Sequence, residues 1–143
     1  MIKFLIPGAP VAKARARATM VAGRARMYTP DKTASYEGKT AYLAKQAMGD
    51  MALMLGPVSL TVIAVFGYPA SWSKKRIAAN LVKPEWVVKK PDGDNCLKIV
   101  SDALNGVCFK DDSQVALAKV TKVYGDVPGV LVTVEALQCL PKQ

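Results

Sequence analysis

Five aspartates cluster in one short stretch of a chain that is otherwise rich in basic residues. The chain has 11 acidic residues in all, and these five lie between positions 92 and 112: Asp92, Asp94, Asp102, Asp111 and Asp112. Carboxylates are the hard oxygen ligands that Mg²⁺ prefers, and a bound Mg²⁺ can activate water for attack on a phosphodiester. The chain contains no histidine, which excludes mechanisms that depend on a histidine base.

Each of these residues also has a purely structural interpretation. Asp92-Gly93-Asp94 precedes a predicted helix, where Asp is a common N-cap. Asp111-Asp112 lies between a helix and a strand, where Asp is a routine turn residue. Lys98 follows Asp94 by one helical turn and could be an ordinary i,i+4 ion-pair partner. Taken singly, each feature favours structure over chemistry.

The charge of the chain predicts a polyanionic partner. There are 20 basic residues, the formal net charge is +9, and the sequence pI is about 9.6. Such a balance favours nucleic acid or an acidic membrane surface, although dense basic stretches can also be solvated surface. We predict that basic residues of two stretches, 11–28 and 71–90, contact DNA phosphates: Lys13, Arg15, Arg17, Lys74, Lys75, Arg76, Lys89 and Lys90.

Cysteine usage and hydropathy favour a cytoplasmic protein that has no membrane span. The three cysteines, Cys96, Cys108 and Cys139, have no CxxC spacing, and we expect reduced thiols. The apolar run at the N-terminus is too short for a secretory signal. Residues 51–68 carry no charge, but Gly56-Pro57 divides them, so we interpret them as a helix end and a buried strand.

The hydrophobic pattern predicts a single α+β domain over residues 1–143. Its expected order is β-α-β-α-β-β, with helices covering one face of a mixed sheet. Residues 11–28 show no apolar stripe and are predicted to form a mobile basic loop. The predicted elements are a strand at 2–6, a helix from Thr29-Pro30 to Gly49, a strand at 58–66, a helix at 94–104, and a terminal hairpin of strands 115–124 and 130–137.

Together, the aspartates and their neighbours resemble the core of the RusA family of Holliday junction resolvases. Weaker similarity lies upstream, and Cys96 stands where family members often have Leu. The core reads Lys90-Pro91-Asp92-Gly93-Asp94-Asn95-Cys96-Leu97-Lys98, then Asp102-Ala103-Leu104-Asn105-Gly106, then Asp111-Asp112-Ser113-Gln114-Val115; the upstream matches are Pro10 to Lys13 with Arg15 and Arg17, Tyr28-Thr29-Pro30, Tyr36-Glu37 and Ser71-Trp72-Ser73-Lys74-Lys75.

This resemblance implies an Mg²⁺-dependent endonuclease that binds and resolves four-way DNA junctions in recombination and repair. By position, it implies that Asp92, Asp94 and Asp112 bind Mg²⁺, with Mn²⁺ as a substitute, and that Lys98 is the catalytic lysine. The variable length of the link before Asp111-Asp112 leaves Asp111 as an alternative third ligand. The resemblance also implies a homodimer, because two opposed strands must be cut, and a phage or prophage origin.

Three other interpretations remain open at this point. A basic DNA-binding protein without nuclease activity would use the acids only as caps, and metal-dependent cleavage of a synthetic junction separates it from a nuclease. A nuclease of the PD-(D/E)xK type places its acid and lysine two apart on a strand, whereas Asp94 and Lys98 are four apart on a predicted helix. A membrane-surface protein is the third.

Overall fold

A four-stranded mixed sheet lies at the centre of the fold. The computed structural model describes residues 1–138 and 140. Its elements are β1 (Ile2–Pro7), β2 (Arg17–Val21), β3 (Arg24–Tyr28), α1 (Asp31–Met48), β4 (Val58–Phe66), α2 (Lys74–Val82), α3 (Gly93–Leu104), a 3₁₀ turn (Asp112–Gln114), β5 (Val115–Tyr124) and β6 (Gly129–Ala136). The strand order is β1-β6-β4-β5, and only the β4–β5 pairing is parallel.

Helices α1 and α3 cover one face of this sheet. Alternate residues of the strands, such as Ile6, Val62 and Val132, are fully buried on that face. Helix α1 contributes Ala44 and Met48 to the same core, and α3 contributes its own apolar side: Ile99, Val100 and Leu104. The α+β class, the mixed sheet and the covering by helices are therefore confirmed.

The uncharged stretch from 51 to 68 contains the predicted buried strand but not the predicted helix end, because α1 already ends at Met48 and residues 51–57 are not helical. After Gly56-Pro57, β4 alternates fully and partly buried residues, as expected for a central strand rich in Val and Ile. Among the described residues, no helix has the length and apolarity needed to cross a membrane.

Residues 17–28 form a β-hairpin, so the prediction of a loop over 11–28 is wrong for this part. Strands β2 and β3 pair from Arg17↔Tyr28 to Val21↔Arg24. The two turn residues, Ala22 and Gly23, both have positive φ, at 52° and 76°. A two-residue turn in which both residues have positive φ matches the right-handed twist of the paired strands, and glycine adopts a positive φ without strain. Small Ala residues hid the strand alternation in the sequence.

The predicted terminal hairpin is also wrong, because β4 lies between β5 and β6. The link 125–128 passes over the end of β4, where the Gly125 N–H donates to the Phe66 carbonyl at 2.9 Å. A Cβ at Gly125 would lie 2.5 Å from Val65 Cγ1, so this close passage requires glycine. The apolar strand β4 takes the central place because both its faces are at least half-buried.

Helix α2 was not predicted from the sequence. It begins after Ser73, whose hydroxyl accepts a hydrogen bond from the Arg76 N–H at 3.2 Å. Its only buried residue is Asn80, which donates to the Tyr124 carbonyl at 3.0 Å and accepts from the Glu85 N–H at 2.7 Å. A helix anchored by one polar side chain leaves no apolar stripe for sequence patterning to detect.

The cysteines that the structure describes are structural. Cys96 and Cys108 are buried, reduced residues of the core region. Burial raises the pKa of the Cys108 thiol to about 11 and also raises that of Cys96. Cys139 lies outside the described residues.

Candidate active site

Asp92 stands at the N-cap position of α3, but its side chain makes no capping hydrogen bond. Its carboxylate lies 3.3 Å from the Lys90 ammonium instead, and 52% of the side chain is exposed. The helix end itself sits tightly on the sheet, since a Cβ at Gly93 would lie 3.3 Å from Val120 Cγ1. Asp94 is exposed in the first turn. Both carboxylates are therefore positioned at a rigid helix end and open to a ligand.

Lys98 connects α3 to the segment before β5. Its ammonium lies 3.1 Å from Asp102 Oδ1 and 3.5 Å from Asp112 Oδ2. The hydrogen bond to Asp102 is the main reason that the pKa of Lys98 is raised, so this side chain stays charged. The i,i+4 partner of Lys98 is thus Asp102, one turn after it, and not Asp94, which the sequence had offered as its structural partner.

The neighbouring acids Asp111 and Asp112 have different surroundings. The Asp111 carboxylate accepts a hydrogen bond from the Ser113 N–H at 3.1 Å and forms a capping box with Gln114. These bonds to Ser113 lower the pKa of Asp111. Asp112 is half-buried and faces Lys98. Asp111 therefore holds the turn, while Asp112 faces the helix that carries the other candidate residues.

Gln114 fixes this turn to the segment that precedes β4. Its amide nitrogen donates to the Met54 carbonyl at 2.8 Å and the Gly56 carbonyl at 2.9 Å. Its amide oxygen accepts from the Lys110 N–H at 2.9 Å and the Asp111 N–H at 3.2 Å. The sequence motif contained this residue without revealing its role, which is to set the position of Asp112.

The donor chemistry fits Mg²⁺, although the described residues form no preformed cage. Within residues 1–138 and 140, no three His, Cys, Asp or Glu side chains lie together closely enough to hold a metal ion. Mg²⁺ usually binds through one or two carboxylates, several waters and substrate phosphate oxygens, so a complete protein cage is not required. Asp92, Asp94 and Asp112 offer only anionic oxygens, and their assignment as ligands stays a prediction.

A cleft of about 510 Å³ opens beside Asp92. Basic side chains from separate parts of the chain meet there: Arg17 from β2, Lys32 from α1 and Lys90. The structure thus brings two of the predicted DNA-binding residues, Arg17 and Lys90, next to a predicted metal ligand. Lys32 was missed, because an isolated lysine in a helix gives no signal in the sequence.

The β2–β3 hairpin has one basic face. Directly opposite residues of an antiparallel pair share a face, so Arg17, Arg24 and Arg26 project together with Tyr28. The other face carries Ala18, Met20, Ala25 and Met27. Every residue of the hairpin is exposed. Of these arginines, the sequence argument had selected only Arg17.

The remaining predicted DNA-binding residues differ in how freely they could reach a phosphate. Five are exposed, and four of these make no ion pair with an acid in the part of the chain that the structure describes: Arg15, Lys74, Lys75 and Lys89; the fifth is Arg76. Arg76 is held by two hydrogen bonds to Glu85, each of 3.0 Å, and stacks 4.0 Å from the centre of the Trp72 ring. Lys13 is ion-paired with Glu37 and Asp102. Arg76 and Lys13 therefore already form ion pairs with acids of the protein.

Comparison with known proteins places this site in a family. A family model described as Endodeoxyribonuclease RusA matches residues 7–135, which include every candidate site residue named above. A protein of Bacillus subtilis (strain 168), named Uncharacterized protein YqaN, is 37% identical over 138 residues and covers 93% of this chain and 94% of its own length. This confirms the resemblance carried by the aspartate motif. The chain belongs to the RusA endodeoxyribonuclease family.

Proposed function

We propose that this chain binds four-way DNA junctions and cuts them by Mg²⁺-dependent hydrolysis of phosphodiester bonds. The observation that carries the proposal is the 3.5 Å approach of Lys98 and Asp112, which are 14 positions apart in the sequence. The family motif predicts a catalytic lysine and a metal ligand at these two positions. Their contact supports a single reaction centre at the start of α3 and β5.

The proposed chemistry divides between the acids and the lysine. Asp92, Asp94 and Asp112 would hold Mg²⁺, which supplies an activated water and neutralises charge on the phosphate. The bond to Asp102 raises the pKa of Lys98, and the Lys98 ammonium would stabilise the extra negative charge on the phosphate oxygens in the transition state. Lys90, on the rim of the cleft, holds the phosphate in position.

The basic surface around the cleft suits a DNA backbone. The arginine face of the hairpin reaches the cleft through Arg17, and its charges, together with those of the exposed residues Lys74, Lys75 and Lys89, would displace counterions from DNA. A bacterial or phage-infected cytoplasm is the proposed location, because that is where such a substrate and Mg²⁺ occur together. A phage or prophage origin is part of the same proposal.

We further propose that the chain acts as a homodimer, because a four-way junction must be cut on two opposed strands. The outer face of the sheet supports this. Strand registers align Leu5, Leu131 and Ile63 across that face and place Val65 beside Val123, which pairs with Trp86 at the edge of the sheet. Trp86 is 71% exposed. In a chain of charge +9 these apolar positions, with the exposed Trp86 beside them, are poorly suited to DNA and well suited to a second copy.

The test compares a labelled four-way junction with linear duplex of the same arm sequence, with Mg²⁺ and with EDTA. Cleavage of the junction alone, in two opposed strands and only with Mg²⁺, is expected. Asp94→Asn should bind the junction without cutting it, whereas Asp50→Asn, at the far end of α1, should cut normally. Equal cleavage of linear duplex would contradict junction selectivity, and cleavage in EDTA would contradict the metal.

A further inference from the structure

Asp102 lies at the centre of a chain of charged groups that runs across the protein. Its Oδ1 lies 3.1 Å from the Lys98 ammonium and its Oδ2 lies 3.2 Å from the Lys13 ammonium. Lys13 is also ion-paired with Glu37 of α1, and Lys98 also reaches Asp112. The Asp102 side chain is only 20% exposed. An ordinary surface ion pair would engage one lysine, whereas here each oxygen binds a different one.

The same contacts fix the base of the basic hairpin. The Lys13 N–H donates to the Asn95 carbonyl of α3 at 3.2 Å, and the Ala14 N–H donates to Thr33 Oγ1 of α1 at 3.4 Å. Strand β2 begins three residues later, at Arg17. The segment before the hairpin is thus attached to both helices, and the charged link through Asp102 ties it to the helix that carries Lys98.

We propose that Asp102 is a positioning residue: it draws Lys98 away from Asp112 and, through Lys13, holds the basic hairpin at a fixed place relative to the reaction centre. The role assigned to Lys98 and Asp112 rests on the proposed function. Lys13 is then a clamp inside the protein and not a contact to DNA, in contrast to the expectation from the sequence. Partial burial lowers the pKa of Lys13, but its bonds to Glu37 and Asp102 more than offset this and keep it charged.

Removal of the Asp102 charge has a specific consequence for Asp112. Without Asp102, the one carboxylate left within ion-pair distance of Lys98 in the described part of the chain is Asp112, 3.5 Å away. Lys98 would then pair with Asp112 more closely and compete with a cation for the same oxygen. Asp102→Asn should therefore need more Mg²⁺ for half-maximal cleavage, several-fold above wild type, and should cut more slowly at saturation, by about 10-fold or more.

The clamp has a readout that does not depend on cleavage of DNA. Arg24 and Arg26 are exposed trypsin sites within the hairpin. In the free protein, Asp102→Asn and Lys13→Met should both raise the rate of trypsin cleavage at these sites several-fold, because each removes one half of the same link. Asp50→Asn removes an exposed acid outside the network and should leave the rate unchanged.

Two further comparisons separate positioning from general stability. In a Lys98→Met background, Asp102→Asn should no longer raise the Mg²⁺ requirement, because that effect of Asp102 acts through Lys98. In metal-free junction binding, Lys13→Met should leave the slope of log affinity against log salt unchanged, whereas Arg24→Met should lower it by about one unit. Loss of one unit of slope in Lys13→Met would show that Lys13 contacts DNA and would overturn the clamp.

Wild-type trypsin sensitivity and a wild-type Mg²⁺ requirement in Asp102→Asn would overturn the proposal as a whole. Urea unfolding checks that each variant is folded. If Asp102→Asn does not fold, Asp102→Glu takes its place: it keeps the charge and should show intermediate trypsin sensitivity. Wild-type trypsin sensitivity in both Asp102→Glu and Lys13→Met would also overturn the proposal. If wild-type protein cuts no DNA, the proposed function fails, and the trypsin rates of Lys13→Met and Asp102→Asn still decide the clamp.

Discussion

The side chain of Gln114 holds the turn that carries Asp112, and Gln114→Ala should show how strongly the turn depends on it. The substitution removes four hydrogen bonds at once: two donated to the carbonyls of Met54 and Gly56, and two accepted from the N–H groups of Lys110 and Asp111. If each bond contributes a net value of roughly 0.5–1.5 kcal/mol, the loss in the free energy of unfolding is at most about 6 kcal/mol. Water can reach these half-exposed groups and replace part of the lost bonds, which reduces the expected loss to about 2 kcal/mol. In a domain of this size that corresponds to a fall in Tm of roughly 4–8 °C.

The same change should reduce cleavage, because it frees the turn that places Asp112 against Lys98. A displacement of about 1 Å at a reacting centre can cost roughly 10²-fold in rate. Urea unfolding and single-turnover cleavage of a four-way junction measure the two effects on the same preparations. Gln114→Glu is the matched variant: it keeps the two accepted bonds but turns a carboxylate oxygen toward the Met54 and Gly56 carbonyls, so it should be destabilised at least as much as Gln114→Ala.

Asp50→Asn provides the control, because Asp50 is an exposed acid outside the turn, two residues after the end of α1. It should unfold and cut as wild type does. The reasoning is refuted if Gln114→Ala unfolds at the wild-type urea concentration and cuts at the wild-type rate, since the turn would then be held by other contacts.

Three other predictions follow from the proposed function. Lys98→Ala should lower the single-turnover rate by ~10²-fold or more with junction binding retained, and Lys98→Arg, which changes the donor geometry, should be nearly as slow; wild-type rates in both would exclude a catalytic role. Alanine at Arg24 and Arg26 together should lower the log–log salt slope of junction binding by about two units, and an unchanged slope would show that the hairpin does not touch DNA. Trp86→Glu should convert a dimer into monomers in sedimentation experiments while Val127→Glu does not, and a dimeric Trp86→Glu variant would place the interface elsewhere.

Local patterns in the sequence were sufficient for the elements that carry their own signal. The limits of β4 and β5 were predicted as the structure has them, and α3 begins one residue earlier than expected, at Gly93. β-branched alternation and a strong helical stripe determine these elements. The β2–β3 hairpin was missed because its small residues hide the strand alternation, and helix α2 was missed because a single buried asparagine anchors it. The separation of β5 from β6 was missed because it depends on a glycine in the link, which leaves no periodic pattern.

The candidate site also contains both residues that the sequence identified and residues whose roles only the fold shows. Motif spacing identified Asp92, Asp94, Lys98 and Asp112 as candidates, and the structure brings two of them, Lys98 and Asp112, into contact. Asp102 and Gln114 belong to the motif, but the sequence alone predicted no separate role for either residue. Their functions come from partners far away in the chain: Lys13 is 89 positions from Asp102, and Met54 is 60 positions from Gln114. Contacts of that kind are set by the fold and leave no trace in local spacing.

The most direct measurement is Mg²⁺-dependent cleavage of a four-way junction by Asp112→Asn and Asp111→Asn, side by side. Both substitutions remove one negative charge with almost no change in volume, and the two residues are adjacent. Asn caps a turn as well as Asp does, so Asp111→Asn should fold and cut like wild type. Asp112→Asn should bind the junction and cut it at no Mg²⁺ concentration. Wild-type cleavage by Asp112→Asn, or loss of cleavage in Asp111→Asn, would contradict the assignment of Asp112 to the reaction centre.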